Sequence, residues 1–357
     1  MSGLCGPFID VPDTPFCRSI LEIFTLGITV GTTPTTYTPD GVVNRLQAAV
    51  LLSRTIDSVL DRGSRAAALG QFWNPGNPAV LGYTTLPFRP ISVKADGENI
   101  WVSNPPAVSR VRASDGKLLE SWTGAPDAEF LLVAMGKVFV TGLNGSLYQV
   151  DPAQPAGSVT AVVTGLGAHP FRIAYDGGRI WTANINPGSI SIISPGPSIP
   201  WTATTITAGF TDPNGILYDG SHIWVTEFQS GLLKKVGPSG AVLQTVTLEK
   251  DIGRPAFDGA NLWVPTFNQA VLIVRAADGR LVTKLRENEL IGPSIAAFDG
   301  RRMLIWNADF SAISLWRASD MTPIGAVAPP SDVVTDICSD GLHFWLALPN
   351  AGQIARF

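Results

Sequence analysis

A phrase recurs seven times along this chain, and its spacing constrains the fold more than any other feature. Its clearest copy is DGSHIWVTE from Asp219: Asp-Gly, two variable residues, an apolar residue, Trp, then a short run ending in a polar residue. The other copies are DGENIWVSN from Asp96, DGGRIWTAN from Asp176, DGANLWVPT from Asp258, DGRRMLIWN from Asp299 and DGLHFWLAL from Asp340. A worn copy, MGKVFVTG, starts at Met135. The marker glycines are Gly97, Gly136, Gly177, Gly220, Gly259, Gly300 and Gly341, spaced 39, 41, 43, 39, 41 and 41 residues apart. Strand-like repeats at this period stack as the blades of a propeller.

Each repeat reads as four short antiparallel strands. In blade one these are Pro90 to Ala95, Ile100 to Ser103, Val108 to Arg112 and Leu118 to Trp122, with Asp-Gly turns at Asp96 and Asp115. Trp101, Trp181, Trp224, Trp263 and Trp345, with Phe139 and Leu304 in the remaining blades, hold one position per repeat. A large side chain there fills the wedge between neighbouring sheets. The run Gln353 to Phe357 reads as the third strand of blade seven, with no fourth strand after it. The stretch Ala79 to Thr85 is expected to supply that outer strand and close the ring, removing open sheet edges. The expected fold class is therefore mainly β: a seven-bladed β-propeller of four-stranded antiparallel blades over residues 71–357, preceded by a small α-helical module over residues 1–70.

The bulk composition agrees. The 357 residues are 45% hydrophobic and 15% charged, with 36 Gly and 28 Pro, as suits a large core with many turns. The net charge is −4 with no Lys/Arg cluster, which argues against a nucleic-acid partner. No apolar run reaches transmembrane length, and the beginning, MSGLCGPFIDV, has no basic stretch followed by an apolar one, so no secretory leader is visible in this numbering. Cys338 sits in an apolar lead-in and reads as a buried thiol. Cys5 and Cys17 could pair in an oxidising compartment, which the sequence leaves open. No Cys/His spacing suggests zinc, and no metal or cofactor is expected.

In the first 70 residues, Thr14-Pro15 reads as a helix start, followed by apolar Phe16, Ile20, Ile23, Phe24 and Leu26, with Gly27 as the stop. A second helix starts at Asn44, where Asn44 and Gln47 form a capping box and Val43 offers half of a hydrophobic staple. Leu46, Val50, Leu51, Ile56 and Leu60 give its expected buried stripe, and helical character is expected to run on through Ala66 to Gly70.

The module resembles a surface-layer homology (SLH) motif through Phe8-Ile-Asp-Val11, the first helix, Gly27-Ile-Thr-Val-Gly31, Tyr37-Thr-Pro-Asp40 and Val43-Asn-Arg-Leu-Gln47. That resemblance implies contact between Arg45 and a cell-wall polysaccharide. Asn44 and Gln47 depart from the family's Thr and Glu while keeping the capping box, and one copy stands where the family usually has three. A single motif per chain hints at a homo-oligomer, a trimer. The runs WVSN, FVTG, WTAN and WVTE resemble the YVTN family of seven-bladed propellers, which includes surface-layer proteins. The same repeats, through phrases such as DPNGILYDGSHIWVTEF, also resemble streptogramin lyases.

The strand order puts the loops entering the first strands and those leaving the second strands on one face, with the Asp-Gly turns on the other. His222 and His343 occupy a variable turn position and are expected to face solvent. His169 enters the first strand of blade three. Around it the order gathers Glu129, Arg172, Asn214, Arg254, Asp332 and Asp336, with Asn104, Asn184, Glu227, Asn307 and Asp309 from the second-strand loops. The ligand-binding candidates are Glu129, His169, Arg172, Asn184, Asp212, Asn214, Glu227 and Arg254. If the chain is an enzyme, His169, Asp212 and Glu227 are its general-base candidates. Streptogramin lyases use a His–Glu–His set, which cannot be placed here with His169 alone on that face. Lactonase-type propellers bind a divalent metal, for which Glu129, Asn184 and Asp212 would be the ingredients.

The expectation is a non-catalytic cell-surface or extracellular propeller, a structural or interaction platform attached or assembled through the SLH-like module. Its partners would be a protein or a cell-envelope glycan, the latter at Arg45. The alternatives are a lyase- or lactonase-like enzyme working at the channel mouth, and a glycan-binding protein.

Overall fold

The computed structural model describes residues 5, 7–12, 16–25, 28–62, 81–310 and 312–357, without the side chains of 18, 22, 25 and 56–62. The chain divides into two compact units, 1–74 and 75–357. The larger is mainly β, a seven-bladed propeller in which every blade is a four-stranded antiparallel sheet. Blade one runs outward through Ser92–Ala95, Asn99–Asn104, Ala107–Arg112 and Leu118–Thr123. In blade seven, Ile337–Ser339, Phe344–Leu348 and Gln353–Arg356 are joined by Gly82–Thr85 as the outer strand. The register is antiparallel, with Gly82 opposite Arg356 and Thr85 opposite Gln353. Residues 79 and 80 of the expected closing stretch lie outside the described residues.

The repeated phrase is a self-contained device. Six of its glycines take φ between +88° and +101°, a conformation that side chains with a Cβ rarely adopt. In blade four the Asp219 Oδ1 accepts the backbone N–H groups of Ser221 and His222 at 2.7 and 2.6 Å. Its Oδ2 accepts the Trp224 indole N–H at 2.7 Å. The same carboxylate–indole bond joins Asp96 to Trp101, Asp176 to Trp181, Asp258 to Trp263 and Asp340 to Trp345, at 2.7–2.9 Å. Blade two lacks both partners, with Met135 and Phe139 in their places. Blade six keeps Asp299 but has Leu304, and there the Arg302 Nε donates to the free oxygen at 2.7 Å. Every phrase that carries the Trp at this position also carries the Asp that accepts its indole N–H, while blade six keeps the Asp and replaces the donor by Arg302.

The rings fill the wedges between sheets as expected. Trp345 packs on Val93, Ile100 and Val111 of blade one, and Trp101 packs on Leu131, Val138 and Val140 of blade two. Trp181 lies against Ile216, Ile223 and Val225 of blade four. Each of these tryptophans is at most 1% exposed. The hydrophobic core is thus a ring of inter-blade clusters.

The smaller unit holds two helices, α1 (Cys17–Thr25) and α2 (Arg45–Arg62). Cys5 and Cys17 form a disulfide with their Cα atoms 5.5 Å apart. Its core is Cys5, Phe8, Val11 and Ile20, with Leu21, Phe24 and Tyr37 packed against them. Asp10 accepts the backbone N–H groups of Tyr37 and Thr38 at 2.8 and 2.7 Å, tying the Phe8–Val11 segment to Tyr37–Asp40. The capping box forms: Asn44 N–H donates to Gln47 Oε1 and Gln47 N–H to Asn44 Oδ1, both at 2.9 Å.

Three expectations for this unit are corrected. Leu46 and Val50 are 80% and 48% exposed, not buried. The small core is assembled from the segment before α1, from α1 itself and from Tyr37, which leaves the start of α2 outside it. Val43 is exposed and makes no staple, and Phe16 precedes α1 and is exposed. Thr14, Pro15, Leu26, Gly27 and residues 66–70 lie outside the described residues.

Candidate functional site

The first strands of the seven blades line a central channel, and the loops expected on one face form its mouth. The mouth is a cleft of about 410 Å³. Its walls are Ile91, Phe130, Phe171, Phe267, Trp306, Phe310, Val333 and Val334, with Arg89, Glu129, Arg172 and Arg254 among them. Phe130, Arg172 and Arg254 also line the channel below, where Ser92, Lys94 and Asp336 join them.

Arg172, on the first strand of blade three, is 8% exposed. Its guanidinium carbon lies 3.3 Å from the centroid of the Phe130 ring and 4.2 Å from that of Phe171, cation–π contacts with two rings that meet each other edge-on at 73°. Nη1 donates to the Phe171 carbonyl at 3.1 Å, and Nε is buried without a partner. Burial pulls the Arg172 pKa down, Arg254 adds to that, and Asp336 and Glu129 oppose it. Burial likewise lowers Arg254 to about 10 against the pull of Asp336, 3.8 Å away. Arg254 also donates to the Thr335 carbonyl.

Asp336 is 6% exposed and accepts from Ser92 Oγ at 2.6 Å and Lys94 Nζ at 3.1 Å. Burial alone would raise its carboxyl, but Lys94, Arg172, Arg254 and the Ser92 hydroxyl together hold it below the ordinary range. Glu129 behaves oppositely: burial raises it, and Arg172 and Arg89 only partly offset that.

The other expected residues are placed elsewhere. Glu227 is fully buried and ion-paired with Lys234 at 2.7 Å. Its oxygens also accept the Thr211 backbone N–H and hydroxyl at 2.8 and 3.0 Å. Asn184 is fully buried and bonded to Thr182, Ser189 and Ser191. Asn307 stands at the same blade position and bonds Ser314. Asn184–Ser191, Asn307–Ser314 and Glu227–Lys234 share one seven-residue spacing, so blade four carries an ion pair where blades three and six carry an amide and a hydroxyl.

Asp212 accepts the Gln229 backbone N–H, clamping the loop that leaves the second strand. Asp127 does the same for Asn144 and Asp332 for Ala351, both at 2.8 Å. His169 takes φ +58° at the rim, with its ring edge-on to Phe171 at 5.6 Å. Burial lowers its pKa. His169, Asn184, Asp212, Asn214 and Glu227 are not among the residues lining the mouth, whereas Glu129, Arg172 and Arg254 meet there. His222 and His343 sit in the opposite turns, half-buried rather than solvent-facing. Among the described residues no group of three or more His, Cys, Asp or Glu could hold a metal ion.

The aromatic wall was not anticipated from the sequence. Its signal was large apolar residues in loop positions where a polar turn former is usual: Phe267 and Phe310 each follow a second strand. Phe267 and Phe310 remain 39% and 45% exposed.

No protein-family model matches the chain, and no curated protein sequence matches it. Among solved structures it is similar to a chain in the crystal structure of the mitotic checkpoint complex, with TM-score 0.67 and 11% identity, covering 79% of this chain and 95% of that one. It is also similar to virginiamycin B lyase from Staphylococcus aureus, solved with selenomethionine substitution, with TM-score 0.63 and 16% identity, covering 77% and 97%. At these identities the likeness establishes the propeller fold alone. No helix among the described residues is long and apolar enough to cross a membrane.

Proposed function

We propose that this chain is a non-catalytic binding propeller of the cell surface or extracellular space, a YVTN-type platform attached or assembled through its SLH-like helical module. The observation that carries the reading is the division of labour at the mouth. Asp212 and Glu227, two of the three residues suited to act as bases, are engaged in holding loops. The residues that do line the mouth are aromatic rings and guanidinium groups, which suit recognition. The Cys5–Cys17 disulfide supports an oxidising location. The bond from Asp10 to Tyr37 and Thr38 and the intact capping box support an SLH-like helical unit. Arg45 is exposed at the start of α2, where an envelope glycan could reach it. On this reading the mouth is a recognition site, the glycan meets Arg45, and the module can drive trimerisation.

The test is co-sedimentation of the full chain with bacterial wall sacculi that carry secondary polysaccharide. Binding by the parent chain and its loss in Arg45→Ala is the expected result. Equal behaviour of the two, bound or unbound, would remove the attachment half of the proposal. A monomer in light scattering at micromolar concentration would remove the trimer.

A further inference from the structure

We propose that the channel mouth is a binding site for a small organic anion: a carboxylate attached to a flat, apolar or aromatic body. This deepens the reading of the mouth as a recognition site and rests on it. Three observations converge. First, charge is unbalanced. Among the residues lining the mouth and the channel below it, Lys94, Arg89, Arg172 and Arg254 face only two carboxylates, Glu129 and Asp336. Asp336 is already engaged by Ser92 and Lys94.

Second, Arg172 has donors to spare in a place that water reaches poorly. It is 8% exposed, its Nε has no partner, and Nη1 donates to the Phe171 carbonyl. A planar guanidinium with an unpaired donor matches a carboxylate, and a charge-assisted bond is strong where solvent is excluded. Contacts with Phe130 and Phe171 hold the guanidinium in place, so little freedom is lost when an anion docks.

Third, the space above the two arginines fits a flat body. The cleft of about 410 Å³ falls within the range of small-molecule sites. Phe267 and Phe310 on its wall remain partly exposed, which leaves ring faces for stacking.

The test is calorimetric titration of the full chain with benzoate, 2-naphthoate and indole-3-acetate, each against its neutral amide. Acetate and inorganic phosphate serve as anions without a body. The expected result is that an aromatic carboxylate binds and its amide binds roughly tenfold to a hundredfold more weakly, the worth of one charge-assisted bond. Arg172→Met should erase that discrimination, and Glu129→Gln, which removes a competing carboxylate, should tighten carboxylate binding severalfold. Equal binding of acid and amide overturns the proposal, as does the failure of all three carboxylates at millimolar concentration. Acetate or phosphate binding as tightly as 2-naphthoate also overturns it. Should Arg172→Met fail to fold, Glu129→Gln decides alone, and an unchanged affinity refutes the site. Turnover of a bound carboxylate would end the non-catalytic reading and leave this site standing. Absence of binding would do the reverse.

Discussion

The two faces of the propeller are built on opposite principles. On the turn face, each Asp is satisfied within its own phrase, by two backbone N–H groups and an indole five residues on, or in blade six by Arg302 in place of the indole. On the mouth face the loop clamps are local, but the channel groups find partners far along the chain: Asp336 is bonded by Ser92, 244 residues away, and Arg254 donates to Thr335, 81 residues away. The first face is locally encoded, and it repeats, worn away in blade two and varied in blade six. The channel groups differ between blades because these contacts join different blades. Structure resides in what is copied, and individuality in what is not.

The largest test of this contrast is in blade four. Glu227→Ala leaves the Lys234 ammonium, 8% exposed, without its counter-ion, and should cost about 3–5 kcal/mol in denaturant unfolding. Installing Glu227→Asn with Lys234→Ser, the pair that blades three and six carry, should recover at least half of that loss. No recovery would show that the blades are not interchangeable at this position.

A middle-sized effect is expected on the turn face. Trp224→Phe keeps the ring but removes the donor to Asp219, for a loss of about 1.5–3 kcal/mol. In blade two, which has no such bond, Phe139→Leu should cost less.

The same device has an acid signature. Burial would raise the Asp340 carboxyl, but bonds from His343, Trp345 and two backbone N–H groups bring it down to about 2. A carboxyl depressed on folding stabilises the protein above its unfolded pKa, and that stability is lost as pH falls through the folded value. Unfolding measured from pH 4 down to about 2 should therefore show a steeper loss for the parent chain than for Asp340→Asn. Parallel curves would refute the assignment.

The smallest effect belongs to the mouth. Phe310→Ser should change stability by no more than about 0.5 kcal/mol, since the ring is 45% exposed. A larger loss would make the ring a structural plug, blurring the distinction between the faces.

This contrast also explains what could be read in advance. The blade count, the wedge rings and the closing strand follow from periodicity and from a strand left without a partner, which are properties of the sequence alone. The role of Glu227 is a property of register: the Lys234 side chain that neutralises it is seven residues on, across a hairpin. Comparing blades at that spacing would have found it, because Asn184 and Asn307 have Ser191 and Ser314 there. Glu129, Arg172 and Arg254 could be placed at the mouth from strand order, but their aromatic surroundings could not. Nor could the exposure of Leu46 and Val50, because a helical stripe shows where burial is possible, and the small core of that unit is filled by other segments.

The strand that completes blade seven has a consequence in time. Thr85 and Gln353 are 268 residues apart, so at roughly 5–20 residues per second a ribosome needs roughly 13 to 54 seconds between making the two. Throughout that interval the finished blades form an open arc whose terminal wedge surfaces are wet. A newly made chain must therefore hold Gly82–Thr85 unpaired until its other half emerges, and crowding of nascent chains, rather than weakness of any blade, becomes the hazard of its synthesis.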